Sequence, residues 1–161
     1  MSLAIVPGSF DPMTVGHLKL VEKALERYDR VVIAVMINPQ KQYLFDKATR
    51  IEIAKRTVAH LERAAVLADD GMLIDLFDRL NADAVCKGWR NAEDYWYEQE
   101  MAEWNHAHNP RFFTDLIRSD VEYEEISSTK IREMLQNGEI PHDWIHPDVL
   151  TIVSQKAKNG G

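Results

Sequence analysis

Leu3-Ala4-Ile5-Val6-Pro7-Gly8-Ser9-Phe10-Asp11-Pro12-Met13-Thr14-Val15-Gly16-His17 runs from a short apolar segment, through a turn cluster, to the start of an amphipathic stretch. Leu18, Val21, Leu25 and Tyr28 share one face of that stretch, which predicts a helix from about Gly16 to Tyr28 and makes the whole a strand-loop-helix unit. Val31 to Ile37 follows as a near-continuous apolar run rich in β-branched residues, the pattern of a strand covered on both faces. The alternation continues. A helix is predicted over Lys47 to about Leu61, capped by Asp46 and with Ile51, Ala54, Val58 and Leu61 inward. Further units follow as strands over Ala64 to Ala68, Ala82 to Cys86 and Phe112 to Ile117, and helices over Met72 to Leu80, Ala92 to His106 and Ser128 to Gln136. Asn137-Gly138 closes the last of these, and Pro147 opens a final helix to about Lys156. Alternating strands and helices predict an α/β fold, a parallel sheet with helices on both faces. In such sheets ligands bind beyond the carboxyl ends of the strands, so the loops after Val6, Ile37 and Cys86 are expected to meet.

At 161 residues the chain is the size of one domain, expected over 1–157 with a frayed tail at 158–161. A formal net charge of −7 argues against sequence-independent nucleic-acid binding, which needs an excess of Lys and Arg. No apolar run approaches the roughly 20 residues of a membrane span, and Met1 to Pro7 lacks the features of a signal peptide, so no membrane partner and a cytoplasmic location are expected. The single cysteine, Cys86, reads as a small buried hydrophobe; His106-x-His108 with Cys86 matches no standard zinc spacing. Trp96 and Trp104, on a helix, are expected in a core or a subunit interface, and Lys19, Lys23 and Arg27 on a solvated face.

The first loop, with two glycines and two hydroxyls before a helix N-terminus, is an anion site by construction, because the first backbone N–H groups of a helix are unpaired. It is neither a Walker loop nor Gly-x-Gly-x-x-Gly. Thr14-Val15-Gly16-His17 together with Ile126-Ser127-Ser128-Thr129-Lys130-Ile131-Arg132 resembles the two signatures of the nucleotidyltransferase superfamily whose motif is His/Thr-x-Gly-His. Thr14, the Lys87-Gly88-Trp89-Arg90 segment and the Asp94 to Glu98 helix look most like its phosphopantetheine adenylyltransferase branch. That resemblance implies a Rossmann-like dinucleotide-binding fold, ATP and 4′-phosphopantetheine as substrates, Mg²⁺ with no direct side-chain ligand, a homohexamer, and feedback inhibition by coenzyme A.

Carried over by position, the resemblance assigns catalysis to His17 and Lys41, and ATP contacts to Ser9, Phe10, His17, Gly88, Trp89, Arg90 and Glu98. It adds Tyr123, Ile126, Ser127, Ser128 and Thr129 to the ATP site, and Ser9, Lys41, Leu73 and Lys87 to the acceptor site. The chemistry needs such a set, since two anionic phosphates must be joined and cations and fixed donors lower that barrier. The three hydroxyls from Ser127 are expected to donate to the triphosphate. Lys87 stands where the family has arginine, and Glu124 and Glu125 put negative charge just before the serine motif. Alternatives left open are an adenylyl- or cytidylyltransferase for another phosphorylated acceptor and a non-catalytic nucleotide-binding module.

Overall fold

A computed structural model describes residues 1–158. Its strands are β1 (Leu3–Gly8), β2 (Arg30–Met36), β3 (Ala64–Asp69), β4 (Ala84–Trp89) and β5 (Thr114–Arg118). The helices are α1 (Val15–Arg27), α2 (Lys47–Thr57), α3 (Leu73–Arg79), α4 (Ala92–His108), α5 (Ser128–Gln136) and α6 (Leu150–Ser154). All five strands are parallel, in the order β3-β2-β1-β4-β5, so the chain reverses its direction of travel across the sheet between β3 and β4. This is the parallel α/β sheet expected from the alternation, in the Rossmann-like form that the resemblance implies. Among the described residues no helix is long and apolar enough to cross a membrane.

β1 is covered on both faces. Ala4 and Val6 pack with Val21 and Ala24 of α1, Ile53 and Ala54 of α2, and Ile131 and Leu135 of α5. Ile5 packs on the other face with Leu76 and Phe77 of α3, Val85 and Phe112. Each such fully buried aliphatic or aromatic side chain contributes about 1.5–3 kcal/mol relative to exposure. β1 and β4 pair only at Ala4↔Ala84 and Ile5↔Val85, then diverge toward their carboxyl ends. The gap that opens there, at the reversal point, is the natural position for a ligand.

Several expectations shift. β4 runs on to Trp89, so Lys87, Gly88 and Trp89 are strand residues and not loop. α2 ends at Thr57, and its buried face is Arg50, Ile53, Ala54 and Thr57, whereas Ile51 and Leu61 pack at the edge. Apolar periodicity does not see a buried arginine. The final helix is shorter than expected: Pro147–Val149 form a 3-10 turn and α6 ends at Ser154. α4 buries no residue, and Trp96 and Trp104 are 66% and 45% exposed, so they do not fill the core of this chain. Lys23 and Arg27 are tied down, Lys23 to Asp120 at 2.6 Å and Arg27 to Asp115 at 2.7 Å, fastening α1 to the end of the sheet.

Gly138 closes α5 with φ +76°, and a Cβ there would lie 2.6 Å from the Lys158 carbonyl oxygen, held in place by the Lys158 N–H bond to Leu135 O. Gly138→Ala is expected to cost about 1–3 kcal/mol, from the left-handed backbone and the displaced C-terminal segment together. Urea unfolding measures it; a midpoint equal to the parent's would contradict the contact.

Candidate active site

The floor of the gap is the β1–α1 loop. Phe10 takes φ 49° and tucks its ring beneath Gly8, where a Cβ would come within 3.1 Å of the ring. The Phe10 ring meets the His17 imidazole edge-on, with centroids 5.0 Å apart. Thr14 caps α1 reciprocally: its hydroxyl oxygen accepts the His17 N–H at 3.2 Å, and its own N–H donates to His17 Nδ1 at 2.9 Å. An Nδ1 that accepts leaves the proton of a neutral imidazole on Nε2. Burial, reinforced by the positive charges of Lys87 and Arg90, lowers the His17 pKa to about 4. At neutral pH His17 is therefore an uncharged, oriented donor, not a cation.

Two buried charges join this floor to the β2–α2 loop. Asp11, 4% exposed, accepts the Leu44 N–H at 2.8 Å and the Phe45 N–H at 2.9 Å. Arg50, 1% exposed, donates to Phe45 O and Ser9 O and stacks on the Tyr43 ring at 3.7 Å. Lys41, carried by the clamped loop, reaches Ser9 Oγ at 3.4 Å. From α5, Arg132 donates to Asp11 O at 2.8 Å and Ser128 Oγ to Pro12 O at 2.7 Å. The Ser128 hydroxyl is thus a strut between the two sequence motifs and not a free phosphate donor. Ser127 caps α5 by accepting the Lys130 N–H at 3.1 Å, which leaves its hydroxyl proton free.

A cleft of about 330 Å³ lies above, between His17 on one side and Lys87, Gly88, Arg90 and Glu98 on another. Tyr123 and Ile126 to Thr129 close it. Ten of the expected residues therefore line one cavity. Ser9, Phe10 and Lys41 do not line it but stand beside it, through Gly8. Trp89 is also outside, packed on Tyr95 at 5.1 Å and beneath Arg118. Leu73 lines a second, less polar cavity of about 110 Å³ with Phe112, Tyr97 and Met101.

The cleft's cations are already paired. Arg90 Nε bonds Asp94 at 2.9 Å, and Lys87 Nζ lies 3.5 Å from Glu98, the two carboxylates sitting one turn apart on α4. Burial raises the Glu98 pKa, opposed by Lys87. Glu125 is directed to solvent and bound by Lys130 at 2.7 Å, which holds its carboxyl below the usual range, so it does not oppose the cleft. Asp11, Arg50, Asp94 and Arg132 escaped the sequence reading. Asp11, Asp94 and Arg132 stood inside quoted motifs without a role and Arg50 outside them, and nothing in spacing marks a carboxylate as an acceptor of backbone N–H groups.

Cys86 is fully buried, its thiol pushed up to about 12 by burial. His106 and His108 bond the carbonyls of Phe112 and Trp104. Among the described residues no three of His, Cys, Asp and Glu gather to hold a metal ion.

Residues 5–134 match the family model described as cytidylyltransferase-like. The chain is 31% identical to a phosphopantetheine adenylyltransferase of Clostridium botulinum over 98% of its own length and 99% of the relative's. It is 35% identical to that of Symbiobacterium thermophilum, covering 97% and 96%, and 33% identical to that of Heliobacterium modesticaldum, covering 97% and 93%. With the parallel sheet, the cleft at its reversal point and similarity that runs nearly end to end, the chain belongs to the cytidylyltransferase-like nucleotidyltransferases, in their phosphopantetheine adenylyltransferase family.

Proposed function

We propose that the protein transfers the adenylyl group of ATP to 4′-phosphopantetheine, giving dephospho-coenzyme A and pyrophosphate. The observation that carries this reading is a polar, cation-walled cleft abutting a smaller, more apolar cavity, with Lys87 at their junction. Its polar side suits a triphosphate and its apolar side a pantetheine arm, and the relatives' names supply the same pair.

In this reading an oxygen of the acceptor's phosphate attacks the α-phosphorus, and pyrophosphate leaves. His17 Nε2–H donates to the α-phosphoryl oxygens, where charge builds in the transition state. Lys41, steadied by the Asp11 and Arg50 clamps, approaches from the Ser9 side and offsets the repulsion between the two phosphates. Arg90 turns from Asp94 to the triphosphate, joined by the Ser127 hydroxyl and the free N–H groups of α5. Among the described residues no group of carboxylates and histidines gathers to hold a metal, so a Mg²⁺ would be brought with the nucleotide and have no direct side-chain ligand. Such an ion would supply charge neutralisation for the departing pyrophosphate. We further take residues 1–157 as a single catalytic domain, cytoplasmic, with coenzyme A as feedback inhibitor. We also take the assembly to be the homohexamer that the resemblance implies; the exposed apolar side chains of α4 and Phe113 are available for contact between copies.

Pyrophosphate release with ATP or CTP, against a panel of phosphorylated acceptors, tests this directly. Release with ATP and phosphopantetheine is expected. Release with CTP alone, which the breadth of the family keeps in view, would reassign the base, and nucleotide binding without release would make the chain a sensor. Lys87→Ala is expected to raise the acceptor KM about tenfold or more with a smaller change for ATP, because it leaves a phosphate unpaired, whereas Lys87→Arg keeps the charge and is tolerated. An unchanged acceptor KM in Lys87→Ala would remove this side chain from the acceptor site.

A further inference from the structure

Among the described residues only two line both cavities, Lys87 and Glu98, and they face each other at 3.5 Å. The ion pair is the partition between the nucleotide side and the acceptor side. Neither partner is free for another role while the pair is closed. Glu98 is well covered, with its side chain 15% exposed, and its other charged neighbour is Asp94, which repels it. Lys87 is the more open of the two at 31%. A phosphate entering the smaller cavity therefore meets a lysine already holding an anion, with a carboxylate directly behind it.

We propose that the Glu98 carboxylate is a built-in competitor for the acceptor's phosphate, holding Lys87 while the acceptor cavity is empty, yielding it to the incoming phosphate and retaking it after transfer. This rests on the reading that Lys87 binds the acceptor phosphate. The charge balance favours the return. A phosphomonoester brings two negative charges to Lys87 at neutral pH. When its oxygen bonds to the α-phosphorus, the bond from that phosphorus to the β-bridging oxygen breaks, and pyrophosphate leaves with the electron pair. The former monoester is then one end of a disubstituted pyrophosphate with one negative charge on each phosphorus. It holds Lys87 less strongly than before, while the charge of Glu98 is unchanged. Glu98 thereby weakens the binding of product and of substrate alike, which limits how long product stays.

The test is Glu98→Gln, which keeps shape and helix propensity and removes the charge, with Glu98→Ala as a second variant. Calorimetry on the whole protein measures binding of phosphopantetheine, dephospho-coenzyme A and unphosphorylated pantetheine. Methyl phosphate is titrated separately with the nucleotide side filled by α,β-methylene ATP. Phosphopantetheine and dephospho-coenzyme A are each expected to bind about fivefold to tenfold more tightly in the variants, the scale of one partly screened charge at a few ångströms. Methyl phosphate tightens in the same direction, and unphosphorylated pantetheine is unchanged. Unchanged or weaker phosphate binding, or equal tightening of unphosphorylated pantetheine, overturns the proposal. If phosphopantetheine binds to no form of the protein while methyl phosphate still tightens, the acceptor's identity falls and the competition at Lys87 stands.

Discussion

His17→Ala is expected to lower kcat by about 10²-fold or more while the KM for ATP moves little, because a donor aimed at the transferring phosphoryl group acts chiefly in the transition state. The substitution also removes half of the reciprocal cap on α1, a loss of about 1 kcal/mol, so stability must be followed alongside rate. His17→Gln separates the two effects. A glutamine at this third helical position can still accept the Thr14 N–H, restoring the cap, yet it cannot hold a ring N–H where Nε2 lies. The Gln variant should melt close to the parent and remain slow. Parent-like turnover in both variants would remove His17 from the chemistry.

The low pKa of His17 adds a pH signature. The unfolded ring takes a proton near pH 6.5 and the folded one only near pH 4, so this group leaves stability level above pH 6.5. As the pH falls between those values, the unfolded state binds the extra proton and stability declines. Unfolding in urea across pH 4–7 should show the decline in the parent and a shallower one in His17→Gln. Between pH 7 and 8 kcat should carry no ionisation from His17.

The second large effect is expected at Asp11. Its two carboxylate oxygens accept separate backbone N–H groups from Leu44 and Phe45 in a nearly water-free site. Asp11→Asn turns one of those acceptors into an NH₂ group facing another N–H, which costs about 2–4 kcal/mol as a charge-assisted bond is lost and a buried donor is orphaned. The loss falls on function as well, because Lys41 rides on the loop that Asp11 anchors. Denaturant unfolding should show the drop, and below the melting range kcat should fall while ATP binding is retained. Asp11→Asn with parental stability would show that the clamp resides in Arg50 alone.

These residues also mark where sequence reading stops. The apolar run Val31 to Ile37 and the β-α-β alternation announce a covered parallel sheet, since burial on both faces leaves few places for polar residues. His17 and the serine motif were legible because a helix N-terminus is both a local pattern and an anion site. The role of Ser128 was not, because its partner, Pro12 O, is distant in sequence and a hydroxyl looks the same as a donor to phosphate or to carbonyl. Arg50 and Asp11 were hidden for a related reason: a buried charge is tolerated only through particular long-range partners, and composition averages them away. The aromatic residues of α4 read as core or subunit interface by hydrophobicity, yet among the described residues nothing covers Trp96, Tyr97 and Trp104, which stay exposed.

The strand order also governs the sequence in which the molecule can assemble. β1, β2 and β3, with α1 and α2, come from the first 69 residues and can pair among themselves. Ala4, by contrast, waits for Ala84, and the face of the sheet bearing Ile5 and Ala34 stays bare until Leu76, Phe77 and Phe112 have been made. Closing contacts so far apart in sequence slows folding and leaves a water-exposed apolar surface in the interim, the situation in which nascent chains associate with one another. His17 lies in that early part, but the facing wall of the cleft, from Lys87 to Glu98, and the Tyr123 to Thr129 segment that closes it belong to the later half. A chain released early, ending near Asp69, is therefore expected to be aggregation-prone and without nucleotide affinity, and binding competence should arise only as the last third of the polypeptide docks.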